Sequence, residues 1–447
     1  MARAAEQFAS SLNFGAFGKA TELKQRLWFT LGALIVYRLG TYIPIPGIDP
    51  IVIADIFSQQ ASGILGVFDS FAGGALSRMS IFALNVIPYI SAAIIMQLMT
   101  AVMPSMEALK KEGESGRRKI NKYTRYLTVV LATIQAYGMS RGLEGLVSSQ
   151  GAAVQNPGLF FQASTVITIV GGTMFLMWLG EQITARGVGN GISLIIFAGI
   201  VASFPGAIVQ LLELGRTGSL SAFFIVGFLV FALAVVALIV YFERAQRRII
   251  VQYPKRQVGN RMFGGESSHI PLKLNTSGVI PVIFASSLLL TPVSIAGFGG
   301  GANDGALGWI AANLGPGQPL YLIAFAALVI FFAFFYTAIV FNPEETADNL
   351  KRHGGFVPGI RPGANTATYF DYVLTRLTVI GAAYLTVVAV LPEILRTQFA
   401  VPFYFGGTSL LIVVVVAMDT VAQVQSHLLA HQYEGLIRKA RLKGRRG

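Results

Sequence analysis

Cysteine is absent from the 447 residues. Disulfides, iron–sulfur clusters, thiolate zinc sites and thiol catalysis are therefore excluded. Charge is scarce: Asp, Glu, Lys and Arg together make 12% of the chain, about half the share of an ordinary soluble domain. Acid is the rarer sign, 21 residues against 34 basic. At roughly 150 residues per domain the length would accommodate three soluble domains, but so few charges could not coat three cores. Apolar residues reach 54%, with 32 Phe and 15 Tyr, a richness that goes with burial and excludes disorder. A polytopic membrane protein is the class that remains. The net charge of +13 would suggest nucleic acid in a soluble chain; in a membrane protein its location comes first.

A bilayer-crossing helix needs about 20 mostly apolar residues. Ten windows qualify: 27–43, 79–103, 127–147, 161–180, 188–212, 220–242, 276–297, 319–341, 374–395 and 408–428. The connections between them alternate in charge. One side collects 29 of the 34 Lys and Arg, in the N-terminus, the 2/3 loop, Arg186, the 6/7 loop, the 8/9 segment and the tail. The other side keeps Arg38, Arg78, Arg141, Arg216 and Arg396. Excess Lys and Arg mark the cytoplasmic face, so both termini are expected inside. Residues 1–20 lack a continuous apolar core, so no cleavable signal is expected and the first span serves for insertion. Division at 213–219 gives halves of five spans, residues 1–212 and 213–447. An odd number per half forces opposite entry, the arrangement of an inverted repeat with a path at its interface.

The pattern breaks at 61–76, ASGILGVFDSFAGGAL. Sixteen helical residues reach roughly 24 Å, short of a hydrocarbon core of about 30 Å. Two readings stand: a helix lying in the outer interface, or a re-entrant element tucked into a cavity, where irregular backbone is tolerated. Span two holds Asn85, Pro88 and Gln97; span seven begins at Asn275 and holds Pro281. The amides serve either as interhelical hydrogen bonds, which residue chemistry alone favours, or as the lining of an aqueous gap between helices that part. The prolines are expected to kink their helices. Asp419 is the carboxylate well inside a span, with Glu181 and Glu243 at cytoplasmic ends. Buried ionisable groups are functional suspects, yet an ion-coupled carrier would carry several.

Catalytic signals are thin. His427 and His431 have metal-competent i, i+4 spacing but form no HExxH, so no metal is expected. GVGNG at 187–191 is too short for GxGxxG and reads as a flexible turn into span five. GFGGGANDG at 297–305 occurs once, and neither a phosphate-binding GxxxxGK[ST] loop nor a GxSxG elbow appears. No cofactor is implied, and energy must come from a partner or a gradient. The cytoplasmic loops say more. In 244–273, RRIIVQY alternates β-branched and polar residues and HIPLKL returns, so an extended hairpin outside the membrane is expected. Such an arm could be basic merely because it is cytoplasmic, or could meet ribosomal RNA phosphates or an acidic partner. GGFVPGIRPG at 354–363 sets one Arg amid two prolines and four glycines, a shaped loop presenting Arg361.

Taken together, YIPIPGID (42–49), FAGGALSRMSIFAL (71–84), IPYISAAIIMQL (87–98), KKEGESGRRKI (110–120) and GTMFLMWLGEQITARGVGNGISLIIFAGIVA (172–202) resemble the SecY/Sec61-alpha family of protein-conducting channels. ERAQRRIIV (243–251), FNPEETADNLK (341–351), FVPGIRPG (356–363) and FYFGGTSLLIVVVV (403–416) extend the resemblance into the tail, in order. It implies an all-α polytopic membrane protein of the bacterial inner membrane. Ten transmembrane helices would form two pseudo-inverted five-helix halves around an hourglass pore, with a re-entrant plug helix at 61–76. The plug residues are then Ile64, Leu65, Phe68, Phe71, Gly73 and Gly74. The pore ring carries over onto Val86, Ile90, Ile192, Ile196, Ile283 and Ile412, with Val at 86 where isoleucine is common. Spans two, three, seven and eight would form a lateral gate that includes Asn85, Gln97, Asn275 and Pro281. Implied partners are SecE and SecG in the membrane, SecA or the ribosome at cytoplasmic loops 243–274 and 342–373, signal sequences and nascent chains as substrates, and anionic lipids. Contacts fall to Arg248, Lys255, Arg256 and Arg361; Asn260 stands where a basic residue is usual, so Arg261 takes its place. The function implied is a protein-conducting channel, not an enzyme. A secondary transporter of a small solute is the alternative.

Overall fold

The computed structural model describes residues 21–59, 69, 72–148, 151–218, 221–253, 256–258, 261–263, 267–298, 313–315, 318–399 and 407–444. A helix overlaps each of the ten windows. Helix α1 (Thr21–Gly40) leads to the short α2 (Pro50–Gln59), and α3 (Ile87–Val102) bends by 97° into α4 (Pro104–Lys111). Helices α5 (Glu114–Glu144), α6 (Leu159–Arg186), α7 (Gly191–Arg216) and α8 (Ala222–Arg244) follow. After two hairpins come α9 (Ile280–Phe298), α10 (Pro319–Val340), α11 (Pro343–Arg352), α12 (Ala364–Phe399) and α13 (Gly407–Gly444). Among the described residues, six helices are long and apolar enough to cross a membrane: α6, α7, α8, α10, α12 and α13. The bent pair α3–α4 makes a seventh if it counts as one span. The chain is thus a mostly helical, polytopic membrane protein.

Helix starts follow local chemistry. Ser221 caps α8 by accepting from Phe224 N at 3.2 Å, and Asn342 Oδ1 caps α11 through Glu344 N at 3.1 Å. Pro88 and Pro281 lie in the first turns of α3 and α9, where a proline's missing N–H costs nothing. They therefore start these helices and do not kink them, and the expectation of mid-span bends at these positions is corrected. The helix of span two begins at Ile87, not near 79. Met79 and Asn85 have φ of 44° and 49°, conformations a right-handed helix cannot hold, so turns fill the stretch after Gly73.

All-α is likewise too strong, since strands pair in three antiparallel ribbons: β1 (Val147–Ser148) with β2 (Gly151–Ala152), β3 (Gln246–Gln252) with β6 (Ser267–Lys273), and β4 (Arg256–Val258) with β5 (Arg261–Phe263). The β3–β6 ribbon is the arm expected from RRIIVQY and HIPLKL, in the register Gln246↔Lys273 to Gln252↔Ser267. Val258 pairs with Arg261, so Gly259 and Asn260 separate β4 from β5.

Two compact units divide the chain. One comprises Met1–Ile208, Thr291–Ala311 and Val416–Gly447; the other comprises Val209–Leu290 and Ala312–Val415. In the first, α5 packs on α3 and α6, and α1 on α6. In the second, α12 packs against α10, α11 and α8. Ile249, Val251 and Leu272 of the arm are buried there with Leu350, Val357, Phe370 and Leu374. Arm, following loop and α12 thus share one hydrophobic core.

Candidate functional site

In the first unit the site begins where helix gives way to turns. Gly73 and Gly74 have φ of +65° and +80°, and a Cβ placed on Gly73 would lie 2.7 Å from Gly199 Cα on α7. Only glycine meets both demands, left-handed backbone and close approach. Arg38 Nη1 donates to Gly73 O at 2.6 Å and Tyr37 OH to Ala72 O at 3.3 Å. Asp69 Oδ1 accepts from Leu76 N at 2.9 Å and Ser77 N at 2.8 Å. The C-terminal end of the 61–76 segment is therefore held by one cation, one carboxylate and a glycine seat. Sequence reading missed Asp69 and the role of Arg38; the signal available was a lone carboxylate in an apolar run. Ile64, Leu65, Phe68 and Phe71 lie outside the described residues.

Val86 and Ile90 stand one turn apart where α3 begins, with Ile90 N donating to Val86 O at 3.0 Å, and both are buried. Ile192 and Ile196 are likewise one turn apart at the start of α7; Ile196 is buried and Ile192 half-buried. The turn before α7 is fixed, not flexible as expected from its glycines. Val188 N donates to Thr30 Oγ1 at 3.1 Å, Gly189 N to Gln423 Oε1 at 2.9 Å, and Ile192 N to Asn190 Oδ1 at 3.1 Å. A Cβ on Gly191 would collide with Gly180 O, and one on Gly180 would lie 2.6 Å from Ile192 Cδ1, so small residues let α6 and α7 meet. Glu181 forms a bidentate pair with Arg125, at 3.1 and 2.7 Å. The side-chain oxygen of Gln97 is buried with no hydrogen-bond partner among the described groups.

In the second unit Ile283 and Ile412 are buried on α9 and α13. Asn275 lies ahead of α9, not within it, and donates to Glu243 Oε1 at 2.6 Å. On the arm, Arg247, Arg248 and Ile250 are exposed while Ile249 and Val251 are buried. That is the period-2 alternation of a strand with one face on a core. Gln252 and Phe356 exchange backbone hydrogen bonds at 2.9 and 3.0 Å, joining the arm to the loop that carries Arg361. Gly354, Gly359 and Gly363 of that loop have φ of +74°, +82° and +108°, and Thr366 Oγ1 donates to Arg361 O at 3.0 Å. Arg361 itself is exposed. Lys255 lies outside the described residues, and of Arg256 and Arg261 the backbone pairing alone is described.

The 2/3 loop carries a basic groove of about 470 Å³ lined by Arg118, Asn121, Lys122, Arg125 and Tyr126. Nearby, the hydrogen bond from Lys111 at 2.7 Å holds the Glu107 carboxyl below its ordinary range. Asp419 and His427 occupy exposed positions of α13; of the His431 side chain nothing is described.

The chain matches the family model SecY over residues 80–421. It is 56% identical to the protein translocase subunit SecY of Escherichia coli K12, covering 96% of this chain and 97% of that one. It is 57% identical to the Pseudomonas aeruginosa PAO1 protein of that name, covering 96% of each, and 54% to that of Rickettsia conorii, covering 94% and 97%. The fold resembles a solved structure described as "The structure of a protein conducting channel". The TM-score is 0.67 at 18% identity, with 91% and 92% of the two chains covered. It also resembles "Sec61 in the Canine ribosome-channel complex from the endoplasmic reticulum", at TM-score 0.64 and 18% identity over the same shares. With a family model spanning most of its length and relatives identical at more than half their positions, the chain belongs to the SecY family.

Proposed function

We propose that this chain is the channel subunit of a protein translocase, moving unfolded polypeptides across the bacterial inner membrane. The observation that carries the reading is the 56–57% identity, over nearly the whole chain, to proteins named protein translocase subunit SecY. Movement of a chain is a transport step with no covalent chemistry, so the protein is not an enzyme. The solute-carrier alternative finds no support in these relatives.

The substrate's chemistry dictates the rest. A polypeptide carries Lys, Arg and Asp, each costing about 2.5–3.5 kcal/mol or more at the bilayer centre, so it needs a watery vestibule. An open watery hole would leak ions. Aliphatic side chains at one constriction offer no specific hydrogen bond, let any sequence pass, and exclude ions by dewetting. Val86, Ile90, Ile192, Ile196, Ile283 and Ile412 form that ring in our reading; the burial of five of them supports it. Residues 61–76 are the plug, supported by the anchoring of its C-terminal end through Arg38 and Asp69. Ten spans in halves 1–212 and 213–447 enclose the pore, with both termini in the cytoplasm. Asn85, Gln97, Asn275 and Pro281 belong to a lateral gate through which apolar segments partition into lipid. SecE and SecG flank the channel in the membrane. SecA or the ribosome engages Arg248, Lys255, Arg256, Arg261 and Arg361, and anionic lipid headgroups suit the Arg118–Arg125 groove.

The test is photocrosslinking from α3 and α9 to a tagged secretory precursor stalled in the reconstituted complex. Crosslinks that appear only during transport are expected. Their absence, alongside uptake of a small solute by the same vesicles, would overturn the assignment.

A further inference from the structure

The arm and α9 are consecutive in the chain, and one side chain ties them. Glu243 lies three residues before β3 begins and Asn275 two residues after β6 ends, so they are the two feet of the hairpin. Asn275 is buried. Its amide donates both to Glu243 Oε1 at 2.6 Å and to Gly278 O at 3.1 Å, and its own carbonyl accepts from Ser277 Oγ at 3.0 Å. Leu274 N donates to Ala245 O at 2.9 Å, continuing the ladder into the feet. Behind them Phe242 stacks on Tyr384 at 4.5 Å, and a Cβ on Gly381 would lie 2.9 Å from Leu274 O, so α12 closes against the same place.

Gly278 supplies the contrast. Its φ is +61°, and a Cβ there would meet nothing within 4 Å. Space does not require glycine here; the backbone turn does. It is the last glycine before α9 starts at Ile280. A stiff, core-anchored hairpin thus ends in a clasp, and the clasp also grips the turn from which α9 departs. We infer that Asn275 is the latch of the channel's gate: it holds the feet of the arm and the Gly278 turn together, so that a load on the arm is passed to α9. It is a positioning residue and touches no substrate. The inference rests on the reading of α9 as a gate helix, and its test separates the two claims.

The cysteine-free chain permits paired spin labels at Ile250→Cys, exposed on the arm, and Leu288→Cys, exposed on α9. Distances are measured by double electron–electron resonance in the full complex, with and without ribosomes bearing a stalled signal-containing chain. The unlatched protein is Asn275→Asp, which sets two carboxylates against each other. Glu243→Gln combined with Asn275→Asp exchanges amide and carboxylate and restores the hydrogen bond between the feet, while the carboxylate at 275 cannot donate to Gly278 O. The expected result is one narrow distribution in the parent, shifted as a body by the ribosome. Asn275→Asp should broaden it and reduce signal-driven membrane insertion about tenfold, as for loss of a hydrogen bond to a charged group, with ribosome affinity unchanged. The double variant should recover part of each, because it removes the repulsion and ties the feet again but leaves Gly278 O without its donor. A single variant that matches the parent, or a double variant no better than the single, overturns the latch. Parent protein whose α9 never crosslinks to an apolar nascent segment overturns the gate reading instead, and the distance data tell the two failures apart.

Discussion

Asp69 sits where nothing in its neighbourhood would lead one to expect a charge. It is the one acidic group of the apolar stretch 61–76, yet its carboxylate takes the N–H groups of Leu76 and Ser77. These amides belong to turns, not to a helix, and would otherwise be orphaned in a water-poor site, at about 1–3 kcal/mol each. Asp69→Ala should therefore loosen the end of the segment: hydrogen exchange at Leu76 and Ser77 should quicken by at least about tenfold. Unchanged protection would mean that the turn is held by Arg38 and Gly73 alone. Val86, Ile90 and Gln97 could be singled out from sequence through their setting in a familiar motif. The anchors left only a lone carboxylate in an apolar run, because a side chain that reaches forward seven and eight residues to cap a turn follows no periodic pattern.

At the scale of elements the arm was the most legible part. Alternation in RRIIVQY and the turn-forming stretch beyond it dictated a hairpin, and β3 and β6 pair along their full length. Helices were legible by hydropathy, but their starts were not: Pro88 and Pro281 read as kinks from composition and open their helices in the fold. The reason is that a proline's effect depends on its position within a helix. What joins the arm to the Arg361 loop is the backbone pairing of Gln252 with Phe356 and the shared burial of Val251 and Val357, long-range contacts that no local pattern encodes. Because the loop is braced in this way, the exposed Arg361 stands on a firm base, as the proposed partner contact requires. Arg361→Glu should abolish SecA-driven import of a precursor into vesicles while the complex assembles as before. Import at the parental rate would remove the loop from the motor's contact.

The whole molecule is a compromise between passage and seal. Its scarcity of charge and its glycine-lined helix contacts concern placement in a bilayer, as does the 29-to-5 partition of basic residues expected from the ten windows. In the proposed reading, the function concerns six aliphatic positions. No cofactor, nucleophile or ion relay is needed for a substrate defined only by being an unfolded chain, and the sequence accordingly carries few catalytic signals. The most direct test of that account is the ion conductance of the resting channel in planar bilayers for the variant carrying Ile192→Asp and Ile412→Asp. Two carboxylates at a dewetted constriction should hydrate it, so conductance should rise severalfold above the parent's. Conductance equal to the parent's, in a complex that still assembles, would contradict the aliphatic seal.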